Sequence, residues 1–302
     1  MHNGIAILAA KRAILIAGAT ASGKSAVGMR LARSFNGVIV NADSMQVYAQ
    51  MRVLTARPEP ADEWAVPHRL YGQVSARQSY SVARWLEDVR EVLQEIERLD
   101  QRPIFVGGTG LYFNALTQGL SPMPETDSVV RAYWRGEARR RSPEELHTEL
   151  MRLDPLTASR LRPSDPQRIV RALEVFQSTG QPLARWQGKA GTPLLPAGAW
   201  SGLVISPERE TIYRRAEARF DQMMAAGALD EVRQLRQMQL DPELPAMRAL
   251  GVAPLMQHLD GEIALEAAIE MAKTQTRRYV KRQLTWLRRY MIAWRWVNAK
   301  YY

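Results

Sequence analysis

A glycine-rich segment that directly follows a short apolar run constrains the fold of this chain more than any other feature. The run covers residues 13–17, and the pattern G-x-x-x-x-G-K-S follows it over residues 18–25. A continuous apolar run that ends in glycine is typical of a buried parallel strand, and a helix is predicted to begin at Lys24. In such a P-loop, backbone N–H groups surround phosphate oxygens, the lysine adds a positive charge and the serine can ligate Mg²⁺. The residues predicted to bind a di- or triphosphate are Gly18, Ala19, Thr20, Ala21, Ser22, Gly23, Lys24 and Ser25.

Further apolar runs alternate with helical patterns up to residue 121. The first helix is predicted over Lys24–Ser34 and is followed by an apolar run at residues 38–40. A second helix, predicted over about Ser81–Leu99, leads to a third run at residues 103–106. This alternation specifies an α/β fold, here a P-loop NTPase-like parallel sheet flanked by helices. Such sheets bind ligands beyond the carboxyl ends of their strands. Asp43 and Thr109 follow the second and third runs, so we place both in the candidate site.

Two stretches rich in proline and glycine, at residues 119–124 and 188–198, enclose a region of different character. The pattern between them is helical and rich in arginine. We therefore predict an all-helical insertion domain over residues 122–200, within a P-loop core formed by residues 1–121 and 201–302. The chain is predicted to re-enter the core through a strand at residues 203–205 and to be helical from there to its end.

The positive charge of the chain is concentrated at its C-terminus. The formal net charge is +10, and the thirty residues from Lys273 onward contain nine basic residues and no acidic one. In a helix predicted over Glu262–Arg289, these cations are interleaved with aromatic residues, a pattern that suits RNA. A solvated helix face whose charges match the helix dipole explains the same pattern. The pattern alone does not decide between the two.

Composition excludes several kinds of site. The chain has no cysteine, which excludes disulfides, iron–sulfur clusters and thiol nucleophiles. No window approaches the ~20 apolar residues of a membrane span, so we expect a cytoplasmic enzyme. We predict no histidine metal site, because the four histidines are scattered in sequence, at His2, His68, His147 and His258.

The third apolar run ends without an acidic residue, which bears on the chemistry. A P-loop ATPase needs an acid at the end of a neighbouring strand to hold magnesium and orient a water. Asp43 is the only acid in a comparable position. A simple ATPase is therefore disfavoured, whereas a nucleotide kinase stays open.

The particular residues narrow the function further than their spacing does. Short motifs that resemble the tRNA dimethylallyltransferase family occur in the family's order along almost the whole chain. They lie at residues 18–25, 41–48, 55–58, 67–70, 107–112, 165–168, 219–224 and 281–288. Leu54 and Val252 depart from the family pattern, in which glycine and tyrosine are usual, and this weakens the transfer of an RNA-contacting role to residues 248–253.

The resemblance implies transfer of a dimethylallyl group from dimethylallyl diphosphate to N6 of adenosine 37 beside the anticodon of tRNA. It implies that Asp43 is the general base, that Thr109 holds the adenine, and that Lys24 and Arg219 bind the diphosphate with Mg²⁺ at Ser25. From the residues alone, the alternative explanation is that Asp43 and Thr109 cap a turn or a helix, which we consider the weaker of the two. Met223 and Met224 are candidates for the prenyl pocket, and we expect a monomer.

The resemblance also implies a set of residues that contact tRNA. We expect Trp286 to pack inward. From the residues alone, surface arginines beside a capped helix start are the preferred explanation of Gln167–Arg171 and Arg131. The full predicted set is Asp43, Ser44, Met45, Gln46, Thr109, Arg131, Gln167, Arg168, Ile169, Val170, Arg171, Arg248, Lys281, Arg282, Gln283, Leu284, Thr285, Trp286, Leu287 and Arg288.

Two other classes of protein compete with this hypothesis. One is a P-loop enzyme for small molecules, either a nucleotide kinase or an isopentenyltransferase acting on free AMP or ATP. The other is a nucleotide-gated RNA-binding protein without chemistry. The basic C-terminus favours the tRNA enzyme over the first, and Asp43 with Thr109 at strand ends favours it over the second.

Overall fold

A computed structural model of the chain describes residues 12–298. Its elements, in chain order, are β1 (Ala13–Gly18), α1 (Lys24–Ser34), β2 (Gly37–Asn41), α2 (Pro60–Ala65), β3 (His68–Arg69), α3 (Val82–Arg98), β4 (Arg102–Gly107), α4 (Gly110–Gln118), α5 (Ser128–Arg140), α6 (Pro143–Leu153), α7 (Pro155–Ala158), α8 (Pro166–Thr179), α9 (Leu183–Gln187), β5 (Trp200–Ile205), α10 (Arg209–Ala225), α11 (Ala228–Gln237), a 3₁₀ turn (Pro245–Arg248), α12 (Val252–Leu259), α13 (Leu265–Tyr290) and β6 (Arg295–Val297).

The strands form one parallel sheet in the order β3-β2-β4-β1-β5-β6. Every residue of β1 is buried, because the sheet is covered on both faces. Successive side chains alternate between two cores: Leu15 and Phe105 belong to one, and Ile16 and Ile104 to the other. This confirms the predicted α/β class and the parallel sheet. It also brings the ends of β2, β4 and β1 side by side at one edge.

The predicted helices α1 and α3 are confirmed, and α3 has Ser81 as its N-cap, whose hydroxyl accepts a hydrogen bond from the Arg84 N–H at 3.2 Å. The predicted C-terminal helix begins three residues later than expected, at Leu265. The prediction of helix to the end of the chain is wrong, because β6 pairs in parallel with β5. The ring of Trp294, just before β6, lies 5.3 Å from Trp200 and 5.4 Å from Phe113, and this packing holds the segment to the sheet.

The chain divides into two compact units, of which the second is Gln118–Pro193 and the first contains the residues on either side. The second unit contains α5 to α9 around a core that includes Trp134, Leu146 and Leu173. It ends earlier than the predicted boundary at residue 200. The Leu195 N–H donates to the Leu116 carbonyl at 3.0 Å, so residues just before β5 pack with the sheet.

None of the helices in the described part of the chain combines the length and the apolar composition that a membrane crossing requires.

Candidate active site

The phosphate loop connects β1 to α1 through two left-handed residues, Ala21 (φ 60°) and Gly23 (φ 91°). Left-handed turns of this kind direct successive N–H groups toward one side, where they form a concave site for an anion. The N–H groups of Lys24 and Ser25 lie in the first turn of α1, where a helix offers them no carbonyl partner. The loop therefore presents donors to an anion at the N-terminus of a helix.

Three of the eight predicted loop residues stabilise the loop itself. The Thr20 N–H donates to Gln283 Oε1 at 2.9 Å, and the Ser22 N–H donates to the Ala19 carbonyl at 3.2 Å. The side chains of Ala19 and Ser22 are completely buried. The N–H groups of Thr20 and Ser22 are thus already hydrogen-bonded, and the side chains of Ala19 and Ser22 are buried. Phosphate contact by the other backbone groups of the loop stays a prediction.

Lys24 lies at the start of α1, and its ammonium donates to the Ala19 carbonyl at 3.3 Å. Burial lowers the pKa of Lys24 to about 8, against the opposing influence of Asp43 and with a smaller contribution from Arg219. A lysine held in this setting gains most from an anion, because a bound negative charge favours its protonated form.

Asp43 and Thr109 stand together beyond the ends of β2 and β4. Asp43 Oδ1 accepts a hydrogen bond from the Met45 N–H at 3.0 Å, and Thr109 Oγ1 accepts one from the Ser44 N–H at 3.0 Å. Turn capping therefore accounts for the Thr109 hydroxyl and for one carboxylate oxygen of Asp43. The second carboxylate oxygen of Asp43 accepts no hydrogen bond from any residue between 12 and 298, so it is available to a ligand.

Arg219, on α10, connects the loop with Asp43. Its side chain lines a cavity of about 380 Å³ with Lys24 and Ser25, and a second cavity of about 260 Å³ with Asp43. Among the described residues its guanidinium makes no hydrogen bond and no ion pair. Burial lowers the pKa of Arg219, and Asp43 partly offsets this effect. Two half-buried cations, Lys24 and Arg219, thus lie on the side of the loop where a phosphate would bind.

Gln283, on α13, holds the loop against the end of β4. Its Oε1 accepts from the Thr20 N–H, and its Nε2 donates to the Gly108 carbonyl at 3.0 Å. A Cβ at Gly108 would lie 2.3 Å from Nε2 of Gln283, and one at Gly110 would lie 2.2 Å from the ring of Trp286. These glycines are therefore needed for the close approach of α13, and Trp286 packs inward as expected.

Burial divides the residues predicted to contact tRNA. The prediction is wrong for the side chains of Ile169, Gln283, Leu284 and Leu287, which are buried in the core and cannot reach RNA. Ser44, Met45, Gln46, Val170, Arg171 and Trp286 are half-buried. Gln46 donates to the carbonyls of Thr55 and Ala56 at 2.9 Å each, so its amide holds a loop. The exposed members of the set are Arg131, Gln167, Arg168, Arg248, Lys281, Arg282, Thr285 and Arg288.

The insertion residues also take part in internal contacts. Asp165 accepts from the Arg168 N–H at 3.3 Å as the N-cap of α8, which is the capped helix start considered above. Arg131 and Arg171 both donate to the hydroxyl of Thr126, at 2.7 and 3.2 Å. Val252 is fully buried at the start of α12, so its side chain cannot contact RNA where the family has tyrosine.

The sequence did not single out Tyr279 as a site residue. Tyr279 lines the cavity that contains Asp43, and the guanidinium of Arg282 lies 5.6 Å above its ring. Burial raises the pKa of Tyr279, and the charge of Asp43 raises it further, so the hydroxyl stays protonated. Its position one helical turn before Arg282 was the available signal, because residues three apart share a helix face.

The fold and the site together define an α/β protein of the P-loop class, with an acid and a hydroxyl beside the phosphate loop. Residues 46–290 match the family model described as IPP transferase. Residues 11–77 match a second model, described as isopentenyl transferase.

Several relatives match over nearly the full chain. A tRNA dimethylallyltransferase of Bradyrhizobium sp. strain BTAi1 is 52% identical over 289 residues, which cover 96% of this chain and 95% of that relative. The enzyme of the same name from Chelativorans sp. strain BNC1 is 53% identical over 279 residues, covering 92% and 95%.

Solved structures agree with these relatives. The full-length tRNA isopentenylpyrophosphate transferase of Bacillus halodurans matches with a TM-score of 0.66 and 31% identity, over 95% of this chain and 90% of that one. A eukaryotic dimethylallyltransferase, solved while acting on tRNA, matches with a TM-score of 0.75 and 28% identity, over 92% and 70%. The chain belongs to the tRNA dimethylallyltransferase family of enzymes, which confirms the resemblance seen in its motifs.

Proposed function

We propose that this protein transfers a dimethylallyl group from dimethylallyl diphosphate to N6 of adenosine 37 in tRNA and releases diphosphate. The observation that carries the proposal is the position of Arg219, which lines both the cavity at the phosphate loop and the cavity at Asp43. A donor held by the loop thus has its reacting carbon directed toward an acceptor held at Asp43.

The transfer exchanges the C1–O bond of the donor for an N6–C1 bond and moves one proton from N6 to a base. The N6 lone pair of adenine attacks C1 of the donor, and the C1–O bond breaks with its electron pair going to the diphosphate. The N6 proton passes to the Asp43 carboxylate. A positioned base of this kind accelerates a proton transfer by about 10²–10⁴-fold. The oxygen of Asp43 that does not cap the turn is the one available for this step.

The leaving diphosphate gains negative charge as the C1–O bond breaks. Lys24, Arg219 and the N–H groups at the start of α1 are placed to stabilise that charge, since they already surround the loop cavity. Both cations are half-buried, and within residues 12–298 neither forms an ion pair with a carboxylate that a diphosphate would have to displace.

Mg²⁺ fits this site as a partner of the diphosphate. The hydroxyl of Ser25 is exposed in the loop cavity and is a hard oxygen ligand of the kind that Mg²⁺ prefers. No group of three or more acidic or histidine side chains in the described chain could hold a metal, so Ser25 and the donor's phosphate oxygens would hold the ion. The ion would offset negative charge on the diphosphate.

The acceptor must be a base taken out of the anticodon loop. Enzymes that act on a base extrude it into a pocket and read it by stacking and hydrogen bonds. The Asp43 cavity offers Thr109 at its edge and Tyr279 in its wall, and the exposed Arg282 stacks on that tyrosine. Lys281, Arg282 and Arg288 lie on the exposed face of α13 and would contact the RNA backbone.

One assay tests this function. The purified protein is incubated with Mg²⁺ and labelled dimethylallyl diphosphate, and offered unmodified tRNA, AMP, or the same tRNA with guanosine at position 37. We expect label only in the tRNA that has adenosine, because guanosine lacks the N6 amine. Label in AMP and not in tRNA would assign the protein to free nucleotides, and no transfer at all would contradict an enzyme of this class.

We also propose that the protein acts as a monomer in the cytoplasm, where it meets its tRNA substrate. The exposed basic face of α13 supports a monomer, because a second copy of the chain bound to that face would compete with RNA. The mass measured by light scattering with and without tRNA tests the oligomeric state.

A further inference from the structure

The cavity lined by both Arg219 and Asp43 has an apolar wall, which takes no part in proton transfer or in diphosphate binding. Leu54, Phe220 and Met223 supply this apolar surface in the cavity that Asp43 also lines. A prenyl donor has a charged diphosphate and an apolar tail, so its binding site needs apolar surface close to its phosphate contacts. This cavity provides both within about 260 Å³.

Two of the wall residues come from the helix that carries Arg219. Phe220 follows Arg219 on α10, and Met223 lies one helical turn further on. Phe220 is buried, with only 4% of its surface exposed, and Met223 is partly buried against the same core. A diphosphate held by Arg219 therefore directs its tail along α10 toward these side chains.

Leu54 closes this wall from a different part of the chain. The carboxylate of Glu231, on α11, accepts hydrogen bonds from the N–H groups of Val53 at 2.7 Å and of Leu54 at 2.9 Å, which fixes the backbone at this point. A Cβ at Gly251 would lie 3.0 Å from the ring of Phe220 and 3.4 Å from a methyl group of Leu54. The side chains of Leu54 and Phe220 therefore both lie close to Gly251, beside the cavity that they line.

We propose that Leu54 sets the length of the prenyl chain that the enzyme accepts, by ending the cavity just beyond a five-carbon group. The inference rests on the proposed function. Because the backbone of Leu54 is fixed and its side chain is buried in the same core as Phe220, a longer tail has to displace core side chains. Displacing packed core atoms costs as much as overpacking a core, so the enzyme rejects longer allylic diphosphates.

The test compares two donors that differ only in tail length, dimethylallyl diphosphate and the ten-carbon geranyl diphosphate, with unmodified tRNA as acceptor. The quantity measured is the ratio of kcat/KM for the longer donor to kcat/KM for the shorter one. The variants are Leu54→Ala, the milder Leu54→Val in case the first does not fold, and Leu235→Ala as a matched control. Leu235 is a fully buried leucine of the same core that does not line the cavity.

We expect Leu54→Ala to raise this ratio by roughly tenfold or more, since one methylene in an apolar pocket already changes selectivity by 10–200-fold. Leu54→Val should raise it less, and Leu235→Ala should leave it at the wild-type value. An unchanged ratio in both Leu54 variants, or an equal rise in Leu235→Ala, would overturn the inference about Leu54. The proposed function would still stand in either case if the wild-type protein transfers the prenyl group to tRNA. Absence of transfer by the wild-type protein would overturn both.

Discussion

Arg219 in the catalytic unit and Arg171 in the helical insertion are both half-buried, yet their electrostatic surroundings are opposite. Arg171 lies 3.4 Å from the carboxylate of the buried Glu174 and donates to the hydroxyl of Thr126. Arg219 lies near another cation, Lys24, and has no ion pair among the described residues. The charge of Arg171 is satisfied within the fold by an ion pair, whereas the desolvated charge of Arg219 is only partly offset by the influence of Asp43. Arginine content alone therefore does not identify an anion site. A buried arginine that lacks a carboxylate partner does.

The largest effect we predict is on catalysis in Arg219→Gln. Loss of this guanidinium should lower kcat/KM for the donor by about 10²–10³-fold, because one donor to the developing charge is removed. The free energy of unfolding should stay the same or rise, because a desolvated charge without a partner is lost. Steady-state kinetics and chemical denaturation of the same preparation measure both quantities, and a clear loss of stability would show that Arg219 is a structural residue like Arg171.

Gln283→Leu tests whether the loop depends on α13 for its shape. The change leaves the Thr20 N–H and the Gly108 carbonyl without their partner, so the free energy of unfolding should fall by about 1–3 kcal/mol and the affinity for inorganic diphosphate should fall with it. Gln275→Leu, two turns earlier on the same helix, is the control and should bind diphosphate normally. Normal diphosphate binding by Gln283→Leu would mean that the loop is shaped without this bridge.

The pKa of Lys24, lowered to about 8 mainly by burial, predicts how diphosphate binding depends on pH. The protonated ammonium attracts the anion, so affinity is full at pH values below that pKa and falls as the pH rises through it, by about tenfold per pH unit. Calorimetric titration with inorganic diphosphate across this range measures the fall. Lys24→Arg keeps its charge and should bind with a flatter profile; an equally steep fall in that variant would assign the pH dependence to another group.

The smallest predicted effect is the loss of stability in Arg171→Gln. Glu174 keeps a second, longer ion pair with Arg135 at 3.8 Å when Arg171 is removed. The free energy of unfolding should therefore fall by only about 1 kcal/mol, also because the Arg171 side chain is 38% exposed. Arg168→Gln is the matched control, since its pair with Asp165 is largely exposed, and it should have no measurable effect. Equal stability of the two variants would remove the contrast between Arg171 and Arg219.

The sequence predicted the elements whose signals are local. The strand, loop and helix at residues 13–34 and the helix α3 could be predicted from the spacing of apolar residues and from capping residues. These signals lie within a few positions of one another in the sequence. Asp43 and Thr109 were placed together because strands that are parallel bring their ends to one edge. Local patterns were sufficient for this part of the site.

The remaining features depend on contacts between distant parts of the chain. Gln283 bonds to residues 263 and 175 positions away, and no local pattern distinguishes such an amide from one that faces RNA. The strand β6 is held by the packing of Trp294 against Trp200 and Phe113, which is equally invisible in the sequence. Its basic and aromatic composition resembles an exposed helix, so the prediction there was wrong.

The substitution Asp43→Asn tests the catalytic role of Asp43 most directly. Asparagine retains an oxygen that can accept from the Met45 N–H, so the turn is kept while the base is lost. We predict that the single-turnover rate of prenyl transfer to tRNA falls by about 10²–10⁴-fold while the affinities for tRNA and for diphosphate stay at their wild-type values. A rate equal to that of the wild-type protein, or a fall in rate matched by an equal fall in tRNA affinity, would contradict the assignment of Asp43 as the base.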